Sequence, residues 1–441
     1  MFAYPIKTFF VMQFYRYVVA AVIIVLCFPF PLLAAEGGEY IAIRKEGSGK
    51  IALVLNKLDA PVKDASEQAQ SLDTIIHDGL DFTGLFTMIS PPLNVKDNSS
   101  RVNFGALDSV GAAVYAGGSV TNISGAVSLD MEVYDTSGAK LVLKKTYHGK
   151  QQQLRTIGYA FCADLVKLLT GKKSVFGSKI LFVSKNKDFK EIYECDFDGH
   201  ELRQLTNSHS ISLTPALSPD GRYLAYTDFS SGRPALYIRD LSSGTTSKID
   251  KSGICIDPGW RNSREVATTL SFEGDQALYL IKVDGSISRR LTFSKGIDLS
   301  PSFSPDGNKM AYVSDRNGLP QIFIEDLQSG QVNRLTFSGR YNTQPSWSPA
   351  GDKIAYTTWE SGGEINIFVI EVDGSGLKQL TGNSGENESP SWSPDGRMIV
   401  FASNRQGPKK LYVMGASGEN QRPLMQSEGE QMQPCWSLFS P

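Results

Sequence analysis

The carboxy-terminal part of the chain repeats itself, and that repeat restricts the fold more than any other feature. PALSPDGRYLAYT begins at Pro215, PSFSPDGNKMAYVS at Pro301, PSWSPAGDKIAYTT at Pro345 and PSWSPDGRMIVFAS at Pro390. A degenerate copy, PGWRNSREVATT, begins at Pro258 and a truncated one, PCWSLF, at Pro434. Successive copies lie 43, 43, 44, 45 and 44 residues apart. Each unit reads as strands. Pro-x-aromatic-Ser is a short strand, and Ser-Pro-Asp-Gly is a turn in which Pro presets φ, Asp bonds the local backbone and Gly accepts positive φ. A second strand follows, as in Lys353–Thr358 or Arg397–Ser403. Alternating apolar third strands come next, at Ala235–Arg239, Ala277–Val283, Gln321–Glu325, Ile365–Val372 and Lys410–Met414. Fourth strands follow at Val332–Thr336 and Leu377–Thr381. Four short strands per roughly 40–45 residues is one propeller blade. No period of 3.6 runs through these units, which excludes a helical solenoid.

Counting the blades predicts how the ring closes. Lys179–Ser184 matches a second strand, Glu191–Asp196 a third and Glu201–Thr206 a fourth, but no Pro-aromatic-Ser strand precedes them. Pro434–Phe439 has that strand and nothing after it. The two halves complete each other, so the expected ring has six blades. Closure also removes open sheet edges. It places Cys435 and Cys195 two strands apart, about 9–10 Å, beyond disulfide reach. Cys162 and Cys255 are read as small buried hydrophobes.

Ahead of the repeats, the first 35 residues carry Lys7 and Arg16 and no acid, and Tyr17–Ala35 is uncharged. This pattern reads as a secretory signal ending at Ala34-Ala35, with Met12 an alternative start, rather than an uncleaved anchor. Residues 36–175 read as an α/β domain. Ile51–Leu55 is a strand, and Asp64-Ala-Ser-Glu67 resembles a capping box. Leu72, Ile75, Ile76 and Leu80 share a helical face. Ala112–Val120, Ala126–Tyr134 and Lys140–Tyr147 are strands. Leu154, Ile157, Phe161, Leu165 and Leu168 form a second helical stripe, stopped by Gly171. Gly171–Ser178 is the expected linker to a propeller over residues 176–441. The expected fold is therefore an α/β amino-terminal domain plus an all-β six-bladed propeller closed by the carboxy-terminal strand.

Little in the chain points to catalysis. Its net charge is −2, and −4 after loss of Lys7 and Arg16, so it lacks the basic footprint of a general nucleic-acid binder. GSGK at Gly47–Lys50 lacks the spacing and the Ser/Thr of a phosphate loop. GxSxG and HExxH are absent from the sequence. Asp220, Asp306 and Asp395 belong to the repeated turn, and His200 and His209 read as solvated loop residues. Asn98 and Asn122 head glycosylation sequons that matter only in a eukaryote. Trp260, Trp347, Trp392 and Trp436 share one repeat slot with Phe303 and Leu217, the signature of inter-blade core. No cofactor or metal is expected. Function then falls to the variable segments entering each innermost strand, Ser210–Thr214, Cys255–Asp257, Gly296–Ser300, Arg340–Gln344, Glu386–Ser389 and Glu430–Gln433, which six-fold geometry gathers at the channel mouth.

The export signal, the small α/β domain, the run AVYAGGSVTNISGAVSLDMEVYD and the closing P-S-[FW]-S-P-D-G array together resemble the TolB family of the Tol–Pal system. The resemblance spans nearly all of the mature chain. It departs at the degenerate unit around Arg261–Arg264 and at the ending Ser437-Leu-Phe-Ser-Pro. It implies a periplasmic adaptor without catalysis, peripheral to the membranes and monomeric, that supports outer-membrane integrity and cell division. It further implies that the lipoprotein Pal sits at the channel mouth, on Ile211, Thr214, Asp257, Asp298, Tyr341, Thr343, Gln344, Asn387, Glu388 and Gln433. TolA would contact the mature amino terminus through Glu36, Glu39, Tyr40, Ile41 and Ile43, adding a strand to a partner's sheet edge. Colicins and other envelope proteins are further partners it allows. The competing class is an exported six-bladed hydrolase or lyase, with Asp257, Asp298, Glu386, Glu388 and Glu430 as its available acids.

Overall fold

The computed structural model describes residues 49–61, 65–96, 101–249, 254–272 and 275–437. The expected signal, the TolA segment and Asp64 lie outside these residues. No helix among them is long and apolar enough to cross a membrane.

The α/β region has a five-stranded sheet of β1 (Ile51–Leu55), β2 (Phe86–Ile89), β3 (Val114–Ile123), β4 (Ala126–Asp135) and β5 (Lys140–Lys150), in the order β2-β1-β3-β4-β5. β1 pairs in parallel with β2 and β3, and the remaining pairs are antiparallel. Helices α1 (Ser66–Phe82) and α3 (Leu154–Thr170) share one hydrophobic core with one face of the sheet. Leu72, Ile76, Leu80, Ile157, Phe161 and Leu165 are buried there against Leu129, Met131 and Val133. The period-2 pattern of β4 and the stripes of both helices therefore meet in one layer. A short helix α2 (Phe104–Ser109), capped by the Asn103 carboxamide, and strand β2 were not foreseen; both are too short for periodicity to register. α1 starts at Ser66, and Ala65 at its N-cap supplies no side-chain bond. Gly171 caps α3 at φ 70°, its N–H donating to the Lys167 carbonyl at 2.8 Å.

Six four-stranded antiparallel sheets follow. The degenerate unit at Pro258 forms a full blade, because the Asn262 carboxamide accepts the N–H groups of Arg264 and Glu265 at 2.9 and 3.0 Å and so supplies the turn. Elsewhere the turn serine does this. Ser218, Ser304 and Ser393 donate to the turn carboxylates of Asp220, Asp306 and Asp395 at 2.6, 2.5 and 2.7 Å. The same hydroxyls accept the N–H groups of Tyr223, Lys309 and Met398. The indole N–H groups of Trp260 and Trp392 reach back to the Ala216 and Ser346 carbonyls of the preceding blade, at 2.9 and 3.1 Å. These tryptophans are inter-blade core, as their repeat slot implied.

The ring closes through Glu430–Trp436, which pairs antiparallel with Lys179–Asn186. Cys435 lies on that strand and Cys195 on Phe189–Asp196, with Lys179–Asn186 between them. The expected linker differs from a loose connector. Val175, Phe176 and Ser178 are buried, in a core shared by α1, α3 and the first and last blades.

Ending the chain before Pro434 removes the Trp436 indole bond to the Ser178 hydroxyl and the Ser437 bonds to Lys179. It also leaves Lys179–Asn186 as an open edge. The truncated chain is expected to be insoluble or to lose its cooperative melting transition; a stable, cooperatively unfolding product would contradict this closure.

Candidate functional site

Each first strand of a blade carries one non-glycine residue with left-handed backbone immediately before the repeat's Pro. These are Thr214, Asp257, Ser300, Gln344, Ser389 and Gln433, with φ between 50° and 56°. Such a conformation is uncommon outside glycine. Here it coincides with a register shift in every first strand. The bulge turns the six side chains toward the axis, where they line a channel pocket of 260 Å³ with the prolines that follow them.

The six are joined in three neighbouring pairs. Thr214 N–H donates to the Gln433 carboxamide oxygen at 2.9 Å. The Ser300 hydroxyl donates to the Asp257 carboxylate at 2.9 Å. Ser389 N–H donates to the Gln344 carboxamide oxygen at 3.0 Å, and the Thr357 hydroxyl donates to the same oxygen at 2.8 Å. Each pair spans two blades. Asp257 is the one carboxylate lining the channel among the described residues. Burial raises its pKa, and the bond from Ser300 opposes that shift. The buried Ser389 hydroxyl has no partner among the described residues. Ser300 and Ser389 were read only as the ends of the segments Gly296–Ser300 and Glu386–Ser389 and not as site residues, although both precede the repeat's Pro as the other four do.

Thr214, Asp257, Gln344 and Gln433 thus come together as expected. Asp298 and Asn387 do not. Both are fully buried, as are Ser212, Asn342 and Gln431 at the matching first-strand position. Asp298 accepts from the Ser294 hydroxyl at 2.8 Å and pairs with Arg316 at 3.2 Å. Asn387 accepts from Ser403 at 2.8 Å and from Arg405 at 2.7 Å. They sit two residues before the bulge, which flips the facing of the strand, so their side chains are buried in the blade and not at the channel surface. Thr343 pairs with Thr357 within its blade. Glu388 binds Lys409 at 2.6 Å. Ile211 and Tyr341 stand at the outer start of their strands, Ile211 exposed and Tyr341 edge-on to Trp359 at 5.9 Å.

In an antiparallel meander, the starts of first strands, the turns between second and third strands and the connections between blades share one face. That face carries exposed Phe189, Ile211, Ile254 and Ile297, together with Leu319 and Trp359. Phe293 and Phe337 are the most exposed there, each at 76%. Arg290 and Arg334 lie over these two rings at 5.1 and 4.8 Å. The opposite face carries the uniform Ser-Pro-Asp-Gly turns.

Comparison with known proteins identifies this arrangement. The TolB beta propeller domain matches residues 166–440 and the TolB amino-terminal domain matches residues 39–142. The chain belongs to the TolB family. A TolB homologue of Chlorobium luteolum is 63% identical over 418 residues, 94% of this chain and 96% of the relative. One from Chlorobium chlorochromatii is 60% identical over 393 residues, 88% and 89% of the two chains. A Desulfosudis oleivorans protein named as the Tol–Pal system protein TolB is 41% identical over 282 residues, 62% of this chain and 64% of that one. The crystal structure of TolB from Acinetobacter baumannii has a TM-score of 0.77 at 25% identity, covering 88% of this chain and 96% of that one.

In this TolB-family chain a second buried carboxyl, away from the mouth at the turn end of a third strand, also has a raised pKa. Glu325 on Gln321–Asp326 faces Arg316, Arg289 and Asp298; burial outweighs the two guanidinium groups and raises its pKa from 4.5 to about 7. The folded chain holds this proton where the unfolded chain has lost it. The group's contribution to stability is therefore full at low pH, falls as pH rises from 4.5 to about 7, and is flat above. Glu325→Gln is expected to melt higher than the native chain at about pH 8, with the gap closing toward about pH 5. Parallel thermal melts across that range check it; equal melting points at both ends would contradict it.

Proposed function

We propose that this chain is a non-catalytic periplasmic adaptor of the Tol–Pal envelope system. It holds the lipoprotein Pal over the mouth of the propeller channel and engages TolA through its mature amino terminus, Glu36–Ile43, linking the outer membrane to the inner one during cell division. The observation that carries this reading is the concentration of exposed apolar side chains on the channel-mouth face, around a polar channel. Contiguous exposed apolar surface on a folded domain marks a protein-binding site. Aromatic anchors such as Phe337, Tyr341 and Trp359 are the kind that dominate binding energy at an interface. The channel offers hydroxyls, carboxamides and one hydrogen-bonded carboxylate, a lining suited to gripping polar groups rather than to acid–base chemistry. The buried, unpaired Ser389 hydroxyl supports entry of a polar group from a partner. The family relationship supports the choice of partners, since a relative is named as a Tol–Pal system protein.

Titration of soluble Pal into the mature chain tests this reading. Phe337→Ala combined with Tyr341→Ala is expected to weaken Pal about tenfold or more, as loss of central anchors does, and to leave TolA binding unchanged. Asp395→Ala, on the opposite face, should leave Pal binding unaltered. Weakening by the Asp395 change but not by the aromatic pair would place Pal on the other face.

Deleting Glu36–Ile43 should abolish or strongly weaken TolA binding while Pal affinity and melting temperature stay the same. Undiminished TolA binding would remove the amino terminus from the assignment.

A further inference from the structure

One carboxylate faces the channel and no cation answers it. Asp257 lines the channel pocket, and no lysine, arginine or histidine lines it among the described residues. The Ser300 hydroxyl donates to Asp257 Oδ2 at 2.9 Å, and Oδ1 accepts from no group among the described residues. Burial raises the Asp257 pKa, and no neighbouring cation lowers it. Taking a carboxylate out of bulk water without a cation costs free energy.

The second observation is the Ser389 hydroxyl, which lines the same pocket. Ser389 is 7% exposed, and its oxygen is buried with no partner among the described residues. Buried polar atoms left in this way are uncommon. Counted from the blade that contains Lys179–Asn186, Asp257 lies on blade 3, Ser300 on blade 4 and Ser389 on blade 6. Blades 3 and 6 face each other across a six-bladed ring, so the carboxylate and the free hydroxyl approach one axial space from opposite sides. The Ser300 hydroxyl has its proton committed to Asp257 and can only accept. Three oxygens able to accept, from three blades, therefore surround the axis.

Resting on the adaptor reading for the presence of a partner at the mouth, we infer that this partner inserts one lysine ammonium into the channel, against Asp257. An ammonium carries three donors, no acceptor and a full positive charge. It bonds Asp257, Ser300 and Ser389 at once and neutralises the carboxylate. A carboxylate or phosphate entering here meets the like charge of Asp257, and a neutral side chain leaves that charge unanswered. The planar fork of arginine suits two acceptors side by side, whereas these come from three directions. At 260 Å³ the channel lies below the size range of sites for whole small ligands and takes a single side chain. Among the described residues no three His, Cys, Asp or Glu side chains come together as metal ligands, so a metal ion would have one carboxylate to hold it here.

The test titrates Nα-acetyl-lysine methylamide into the full mature chain, with the norleucine and arginine analogues and calcium chloride as comparisons. The lysine probe should bind saturably with a Kd below about 10 mM. Norleucine, the same side chain without its ammonium, should not. Asp257→Asn should weaken the lysine probe about tenfold or more, the worth of a hydrogen bond to a charged group. This variant keeps an acceptor for Ser300, and asparagine tolerates left-handed backbone, so it should fold. Ser389→Ala should weaken the probe about threefold with an unchanged melting temperature, because that hydroxyl makes no bond within the described fold. No saturable lysine binding, equal binding of norleucine, preference for arginine or calcium, or unchanged affinity in either variant would overturn the inference. If the lysine probe fails while Phe337→Ala with Tyr341→Ala still weakens Pal, the inference falls and the adaptor reading stands. Lysine binding by a chain that does not bind Pal would support the channel site and remove the adaptor reading.

Discussion

The strand that closes the ring couples the two ends of the propeller. Every other blade is a meander of consecutive strands, so its hydrogen bonds form between residues close in sequence. The closing contact joins Lys179 to Ser437 and Ser178 to Trp436, each pair 258 residues apart. The entropy of closing such a loop grows only slowly with its length, and the bonds that offset it are concentrated at one seam. Trp436 uses its indole N–H on blade 1 and its main-chain N–H on Ser391 of blade 6, at 2.9 Å each. Gln433, three residues earlier, holds Thr214 of blade 2. One strand therefore ties three blades, and the channel depends on it.

The same seam seats the α/β region. Arg155 of α3 pairs with Asp198 at 2.6 Å in the turn following the third strand of blade 1. Arg422 of blade 6 donates to the Phe82 carbonyl at 2.7 Å, at the end of α1, and lies over its ring at 4.5 Å. Phe82, Tyr159 and Phe176 pack around Phe197 of blade 1 with centroid distances of 5.1 to 5.4 Å. Blades 1 and 6 are the two that closure joins. A chain with an open ring would lose the surface on which the α/β region rests, so closure and domain docking form one cooperative unit.

The blades were legible because their information is local and periodic. Proline, turn residues and alternating apolar strands recur at nearly constant spacing, and each copy reinforces the reading of the others. That redundancy rescued the unit at Pro258, whose turn lacks Pro-Asp-Gly but substitutes Asn262 for it. The two long helices and four of the five sheet strands were legible from local pattern. Strand β2, with four residues, and α2, with six, were not, because a periodic signal needs more residues than either has. The segment Gly171–Ser178 read as a linker by its glycines and lysines. Its Val175 and Phe176 are buried by tertiary contacts that no local pattern announces.

The site was half legible for a more specific reason. Side chains of a strand alternate faces, so residues two apart are expected to point the same way. On that expectation Asp298 and Ser300, or Asn387 and Ser389, belong to one surface. The bulge before each Pro breaks the alternation. The residue two before it turns into the blade and satisfies buried polar groups, and the bulged residue turns to the channel. Thr, Ser and Gln carry no composition signal for left-handed backbone as glycine does, and Asp only a weak one, so the set of six cannot be read from residue type. What can be read is position: the residue before each repeated Pro, taken from all six units, is the channel lining. The repeat that defined the blades therefore also defines the site, once the backbone conformation of one copy is known.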